Sequence, residues 1–107
     1  FLNSGFEFLE IPDKVFSSVH LAILKICKND IKVHKRIFNY LRKKNIGVQL
    51  HYKPVHLQPY YRNLGFKEGD FPFSEEYANS SISIPLFPGL TEEDQIRVFN
   101  NILEQKF

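Results

Sequence analysis

Residues 19–26 read Val19-His20-Leu21-Ala22-Ile23-Leu24-Lys25-Ile26, and after Cys27 the polar run Lys28-Asn29-Asp30 follows. A short aliphatic-rich run closed by polar residues predicts a β-strand. Its alternating rows are Val19, Leu21, Ile23 and His20, Ala22, Leu24, Ile26. Both rows are largely apolar, so both faces of the strand are expected to be covered. Helices on one side of a small sheet cover one face only, and the other must meet something else.

Outward from this strand, the periodicity predicts alternating elements. Asn29 or Asp30 is placed to cap a helix whose apolar stripe is Val33, Ile37, Phe38 and Leu41. Lys35, Arg36, Arg42, Lys43 and Lys44 decorate its other side, and the basic cluster in its last turn suits the negative helix end. Asn45-Ile46-Gly47 stops it, with Asn45 or Gly47 free to take a left-handed conformation. Residues 47–53 then alternate, Val48, Leu50 and Tyr52 against Gln49, His51 and Lys53, which predicts a second strand halted by Pro54. A long connection over 55–71 holds a short helix at Pro59 to Leu64. Pro72 opens another helix to about Ser80, with Phe73, Tyr77 and Ala78 on its buried side. Ile82 to Leu86 reads as a third strand. Thr91 and Asp94 form a shortened capping box for a last helix with Ile96, Phe99, Ile102 and Leu103 as its stripe. On the other side of Val19, residues 1–18 read as an extended lead-in, with Phe6, Phe8 and Ile11 as its apolar positions. The sum is a small α/β domain over 19–107, a short three-stranded sheet with helices mainly on one face.

Composition bounds the function. The chain has 107 residues, one domain's worth, with 43% hydrophobic and 24% charged residues. Lys plus Arg number 14 against 12 for Asp plus Glu, a net charge of +2 that gives no reason to expect nucleic acid as a partner. No apolar stretch approaches the roughly 20 residues of a membrane span, and no signal peptide opens the chain, so a cytoplasmic protein without a membrane partner is expected. Methionine is absent, at position 1 and elsewhere, and 11 phenylalanines are a large apolar load. Both features lead us to expect a piece of a longer chain that leaned on a larger partner.

The residues assemble no active site by themselves. Cys27 is the single cysteine, able to form neither an internal disulfide nor a thiolate zinc site, and at a strand end it reads as a small hydrophobe. His51 and His56, five apart across a proline, share no fixed face and have no neighbouring ligand, so no metal site is expected. His20 and His34 are single histidines suited to packing or surface roles. Ser17-Ser18 and Ser80-Ser81 lack a glycine elbow, and the five glycines are scattered. Glu75-Glu76 and Glu92-Glu93 open helices, where the dipole explains them. The segment His51 to Tyr61 stands apart, with two histidines, a lysine, three tyrosines and two prolines at a strand exit. That is where α/β folds place ligand contacts, and the mixture suits a sugar or a phosphorylated ligand. A proline-stiffened loop whose tyrosines pack on helices is the competing reading.

Taken together, IGVQLHYKPVHLQPYYRNLGF at 46–66, GDFP at 69–72 and SISIPLFPGLTEEDQIRV at 81–98 closely resemble the C-terminal region of the DegT/DnrJ/EryC1/StrS sugar aminotransferases. The resemblance covers residues 15 to 103. It implies the small C-terminal domain of the aspartate aminotransferase-type, pyridoxal phosphate type I fold, with 1–18 leading in from a missing N-terminal large domain. It implies an enzyme, a homodimer when whole, that uses pyridoxal 5'-phosphate to pass an amino group from glutamate to a keto-sugar nucleotide, in polysaccharide biosynthesis of the pseudaminic acid type. The cofactor lysine, the acid facing the pyridine nitrogen and the phosphate-binding residues belong to the large domain. This chain alone is therefore expected to bind no cofactor and to be inactive, with no catalytic residue of its own. Position by position, the resemblance puts His51, Tyr52, Lys53 and Pro54 in the sugar-nucleotide pocket, His56 close behind, and Gln49 on the same strand face. A different class of function, a free-standing α/β ligand-binding or interaction module, is the alternative.

Overall fold

Ser81-Ile82-Ser83-Ile84 alternates small polar and branched apolar residues, so as a strand it turns one row to each face. The computed structural model, which describes residues 4–105, places this segment inside the sheet, with a partner strand on either side. Residues 1–3 of the expected lead-in and 106–107 of the expected domain lie outside the described residues. The elements are β1 (Phe6–Phe8), β2 (Ala22–Ile26), α1 (Ile31–Lys43), β3 (Gln49–Leu50), a single 3-10 turn (Val55–Leu57), α2 (Pro59–Asn63), α3 (Pro72–Ser80), β4 (Ser81–Ile84) and α4 (Glu92–Leu103). The sheet is antiparallel throughout, in the order β1-β2-β4-β3.

The sheet has four strands where the sequence predicts three. The additional strand, β1, comes from the expected lead-in, so the sheet crosses the expected boundary at residue 18. It pairs Phe6 with Ile26 and Phe8 with Leu24, and covers an edge of β2 that would otherwise leave backbone groups bare. Phe6 is buried in the core. β2 begins at Ala22 rather than Val19, for a reason that lies in its partner. Ala22 pairs with Ile84, and the next residue of that strand is Pro85, which has no N–H to offer. Val19 itself has φ 48°, a left-handed value that a β-branched residue seldom takes and no strand contains. β3 is short because Gln49 and Leu50 pair with Ser83 and Ile82, and β4 starts only at Ser81, directly after α3.

One face of the sheet makes the core. Leu24 and Ile26 of β2, with Ile82 and Ile84 of β4, pack with Ile37 and Leu41 of α1 and with Val98 and Ile102 of α4. Each such side chain contributes about 1.5–3 kcal/mol by leaving water. His34 of α1 is buried as well, its Nε2 donating to the Ser81 carbonyl at 3.1 Å, which ties helix to strand. On the opposite face Leu21 is exposed and Ile23 and Lys25 are half-buried. Lys25 there pairs with Glu7 across the strands at 3.2 Å.

The helix ends follow local chemistry. Asp30, rather than Asn29, caps α1 by accepting from the Lys32 N–H at 2.8 Å, and Asn45, rather than Gly47, takes the left-handed φ of 56° after it. Thr91 Oγ1 accepts from the Asp94 N–H at 3.1 Å. The Asp94 carboxylate accepts the Thr91 hydroxyl at 2.8 Å, in place of the reach back to the backbone that a longer Glu makes. Two buried stripes differ from expectation. In α4 the inward positions are Val98 and Ile102, with Ile96 and Leu103 exposed, and in α3 Phe73 is exposed while Tyr77 and Ala78 are half-buried. In both helices the sequence offers more apolar residues than one face has room for. Ile82, fully buried between two strands and under two helices, sets the stability of the sheet. Ile82→Ala is expected to lower the unfolding free energy by about 2–5 kcal/mol, read from the midpoint of a urea titration.

Candidate functional site

The second sheet face carries the polar rows, Ser81 and Ser83 from β4 and Gln49 from β3, with His51 just past the strand end. Ser83 stands opposite Gln49, and the His51 ring leans back along the diagonal to it, Nδ1 lying 3.1 Å from Ser83 Oγ. Tyr52 stacks at a tilt on His51, ring centres 4.3 Å apart, and Tyr77 of α3 meets the same ring edge-on at 6.0 Å. Gln49 and Ser83 also line an open cleft of about 490 Å³ that runs to Leu86, Phe87 and Arg97. Lys53 follows, exposed, and makes no hydrogen bond or ion pair with any described residue. Pro54 is half-buried and opens the 3-10 turn.

The structure thus brings Gln49, His51 and Tyr52 together around Ser83, with Lys53 and Pro54 continuing from them. It sends His56 elsewhere. His56 is buried, its ring tilted against Phe71 with centres 4.9 Å apart. Its Nε2 donates to Glu75 Oε1 at 2.8 Å, and the same oxygen accepts the Gly69 N–H at 2.8 Å. Gly69 has φ 92°, which glycine adopts without strain and which aims its N–H at the carboxylate. Glu75 in the first turn of α3 is therefore a latch joining the 3-10 turn, the 65–71 loop and the helix. The hydrogen bond from His56, then that from Gly69, holds its carboxyl below the ordinary value of 4.5, against a smaller opposing effect of desolvation.

Three residues of this arrangement, Ser83, Tyr77 and Glu75, were not predicted as site residues. The strict Ser/Ile alternation of 81–84 is the signal that could have marked Ser83, since it turns a hydroxyl to the same sheet face as its partner Gln49. Glu75 is hidden by the helix dipole, which explains an acid in a first turn without any partner.

Cys27 is exposed, and partial desolvation, then the charge of Glu7, pushes its thiol up from 9.0, away from a reactive thiolate. Among the described residues no three His, Cys, Asp or Glu side chains are grouped to hold a metal. No helix among them is long and apolar enough to cross a membrane. Lys53 does not fit as an anchor for pyridoxal phosphate. A cofactor lysine needs an enclosed site with partners for the ring nitrogen and the phosphate. Lys53 is exposed, without a polar partner among the described residues.

The sequence profile of the DegT/DnrJ/EryC1/StrS aminotransferase family matches residues 3–103. The chain belongs to this family. A relative, the uncharacterized protein MJ1066 of Methanocaldococcus jannaschii, is 38% identical over 94% of this chain and 28% of its own length. The putative sugar aminotransferase Spr1654 of Streptococcus pneumoniae, in its apo-form, superposes with a TM-score of 0.90 at 28% identity, over 97% of this chain and 26% of that one. Spr1654 has also been solved in PMP and PLP forms. Helicobacter pylori PseC, an aminotransferase involved in the biosynthesis of pseudoaminic acid, gives 0.74 at 27% identity, over 83% of this chain and 24% of that one. The chain spans about a quarter of the length of these proteins.

The latch gives a signed pH dependence. A carboxyl depressed by folding stabilises fully above its unfolded value, and that contribution disappears as pH falls through the lower folded value. Stability is expected to fall with acidification beneath 4.5, and Glu75→Gln, which cannot titrate, to flatten that limb. Urea midpoints of both proteins across the acid range are the measurement. Parallel curves would remove Glu75 from the explanation.

Proposed function

We propose that this chain is the small domain of a pyridoxal phosphate-dependent aminotransferase that passes an amino group from glutamate to a keto-sugar nucleotide. In this reading its β3 exit, Gln49 to Pro54, faces the substrate. The observation that carries the proposal is the cluster at that exit, two polar rows of the sheet ending in a seated His51, a stacked Tyr52 and a free Lys53 cation. His51 and Gln49 offer hydrogen bonds to sugar hydroxyls, the exposed Tyr52 ring a flat surface, and Lys53 a point charge for a diphosphate. His56, held by Glu75, supports the segment from within and is assigned no direct contact.

The finer form of the proposal is a substrate of the pseudaminic acid type. The likeness to PseC supports it, and the enzyme it would make of the full-length protein is a UDP-4-amino-4,6-dideoxy-N-acetyl-β-L-altrosamine transaminase. The family likeness likewise supports homodimeric assembly and a cytoplasmic site of action. The group that supplies the electron sink for amino transfer would be held by a larger N-terminal domain. The half-open face of β2, with Leu21 exposed, gives such a domain an apolar surface to meet. This chain alone would bind and orient without transaminating.

In the full-length protein, Lys53→Ala is expected to weaken nucleotide-sugar binding about tenfold, the loss of one charge-assisted contact, with the fold unchanged. Isothermal titration against the keto-sugar nucleotide checks it. Unchanged affinity would take Lys53 out of the site.

A further inference from the structure

We propose that Ser83 is a positioning residue that fixes the tautomer of His51, so that the ring presents an N–H at Nε2 to its ligand. The inference rests on the reading of His51 as a substrate contact, and goes beyond it by assigning which way that contact is polarised. Ser83 is buried, and its bond to His51 Nδ1 is the one hydrogen bond its hydroxyl makes among the described residues. Two arrangements satisfy the 3.1 Å separation. In one, Nδ1–H donates to Ser83 Oγ, and the serine proton then has no acceptor among the described residues. In the other, Ser83 donates to a bare Nδ1, and both groups are satisfied. An unmet buried donor costs about 1–3 kcal/mol, which selects the second arrangement. A neutral imidazole with a bare Nδ1 carries its proton on Nε2.

The rest of the geometry holds the ring in this pose. Tyr52 lies against its plane and Tyr77 meets its edge, so Nδ1 faces the sheet. The opposite nitrogen is the one left for a ligand. His51 is therefore a donor to acceptor groups, a carbonyl or a phosphate oxygen, and not an acceptor from sugar hydroxyls. Ser83 acts through His51 and touches no ligand.

The test is the tautomer itself. Long-range proton–nitrogen correlation spectra of the labelled full chain, at a pH where the ring is neutral, are expected to report His51 protonated at Nε2. Ser83→Thr keeps the hydroxyl and is expected to preserve that signature, while Ser83→Ala shifts it to a mixture. A wild-type ring protonated at Nδ1, or an unchanged signature in Ser83→Ala, would overturn the proposal; the wild-type spectrum decides even where the alanine variant fails to fold. Titration of the full-length protein with UDP-N-acetylglucosamine separates the underlying reading. The Kd is expected to rise about fivefold in Ser83→Ala and to recover in Ser83→Thr, the worth of one ordinary hydrogen bond. Failure of the nucleotide sugar to perturb wild-type His51 would count against the sugar-nucleotide reading, and the serine-dependent tautomer would stand apart from it.

Discussion

The pairing of β4 between β2 and β3 is the constraint on which the rest of the molecule depends. Because its residues alternate Ser-Ile-Ser-Ile, one register puts Ile82 and Ile84 under α1 and α4 and turns both serines to the other face. A slip of one residue would exchange the rows, placing hydroxyls in the core and isoleucines under His51. The energy that holds the register is apolar, from the fully buried Leu24 and Ile82 paired across the strands. What the register delivers is polar: Ser83 arrives beneath His51 with no freedom to be elsewhere. Stability and the site are thus two faces of one strand.

Around that strand, the loops are held by local chemistry more than by burial. The stretch from residue 60 to 74 is exposed throughout, yet Glu75 gathers the His56 ring and the Gly69 N–H at its base. Beside the latch, the His56–Phe71 ring contact ties the 3-10 turn that follows Lys53-Pro54 to the residue that precedes α3. The arrangement separates two roles that adjoin in sequence. His56 and Glu75 keep the backbone where it is, His51 leans on Ser83, and Tyr52 and Lys53 face outward.

Much of the fold could be read from the residues. Pro72 opening α3, Thr91 capping α4, a cap on α1 at Asn29 or Asp30 and a strand beginning near Ile82 all follow from signals within a few residues, although β4 runs from Ser81 and stops at Ile84, before Pro85, rather than at Leu86. The errors share a different origin. The strand at Phe6–Phe8 is short, and only the bare edge of β2 makes it one. The early end of the β2–β4 ladder depends on Pro85, some sixty residues from Val19 in sequence. Phe73 and Ile96 fit an apolar stripe, but a stripe does not say which of its members meets the sheet. The candidate site behaved alike. The cluster at 49–54 was legible as a strand exit dense in donors and rings, whereas the serine and the glutamate that fix His51 and His56 come from distant elements with unremarkable local roles.

Family membership and the half-covered face of β2, beside the exposed Leu21, fit a domain that supplies one wall of a larger cavity. In the proposed function that wall is the β3 exit, braced by β4. Amide hydrogen exchange of the full-length protein, with and without UDP-N-acetylglucosamine, tests it most directly. Binding is expected to slow exchange at residues 49–56. Unchanged exchange there, with protection elsewhere in this chain, would contradict it.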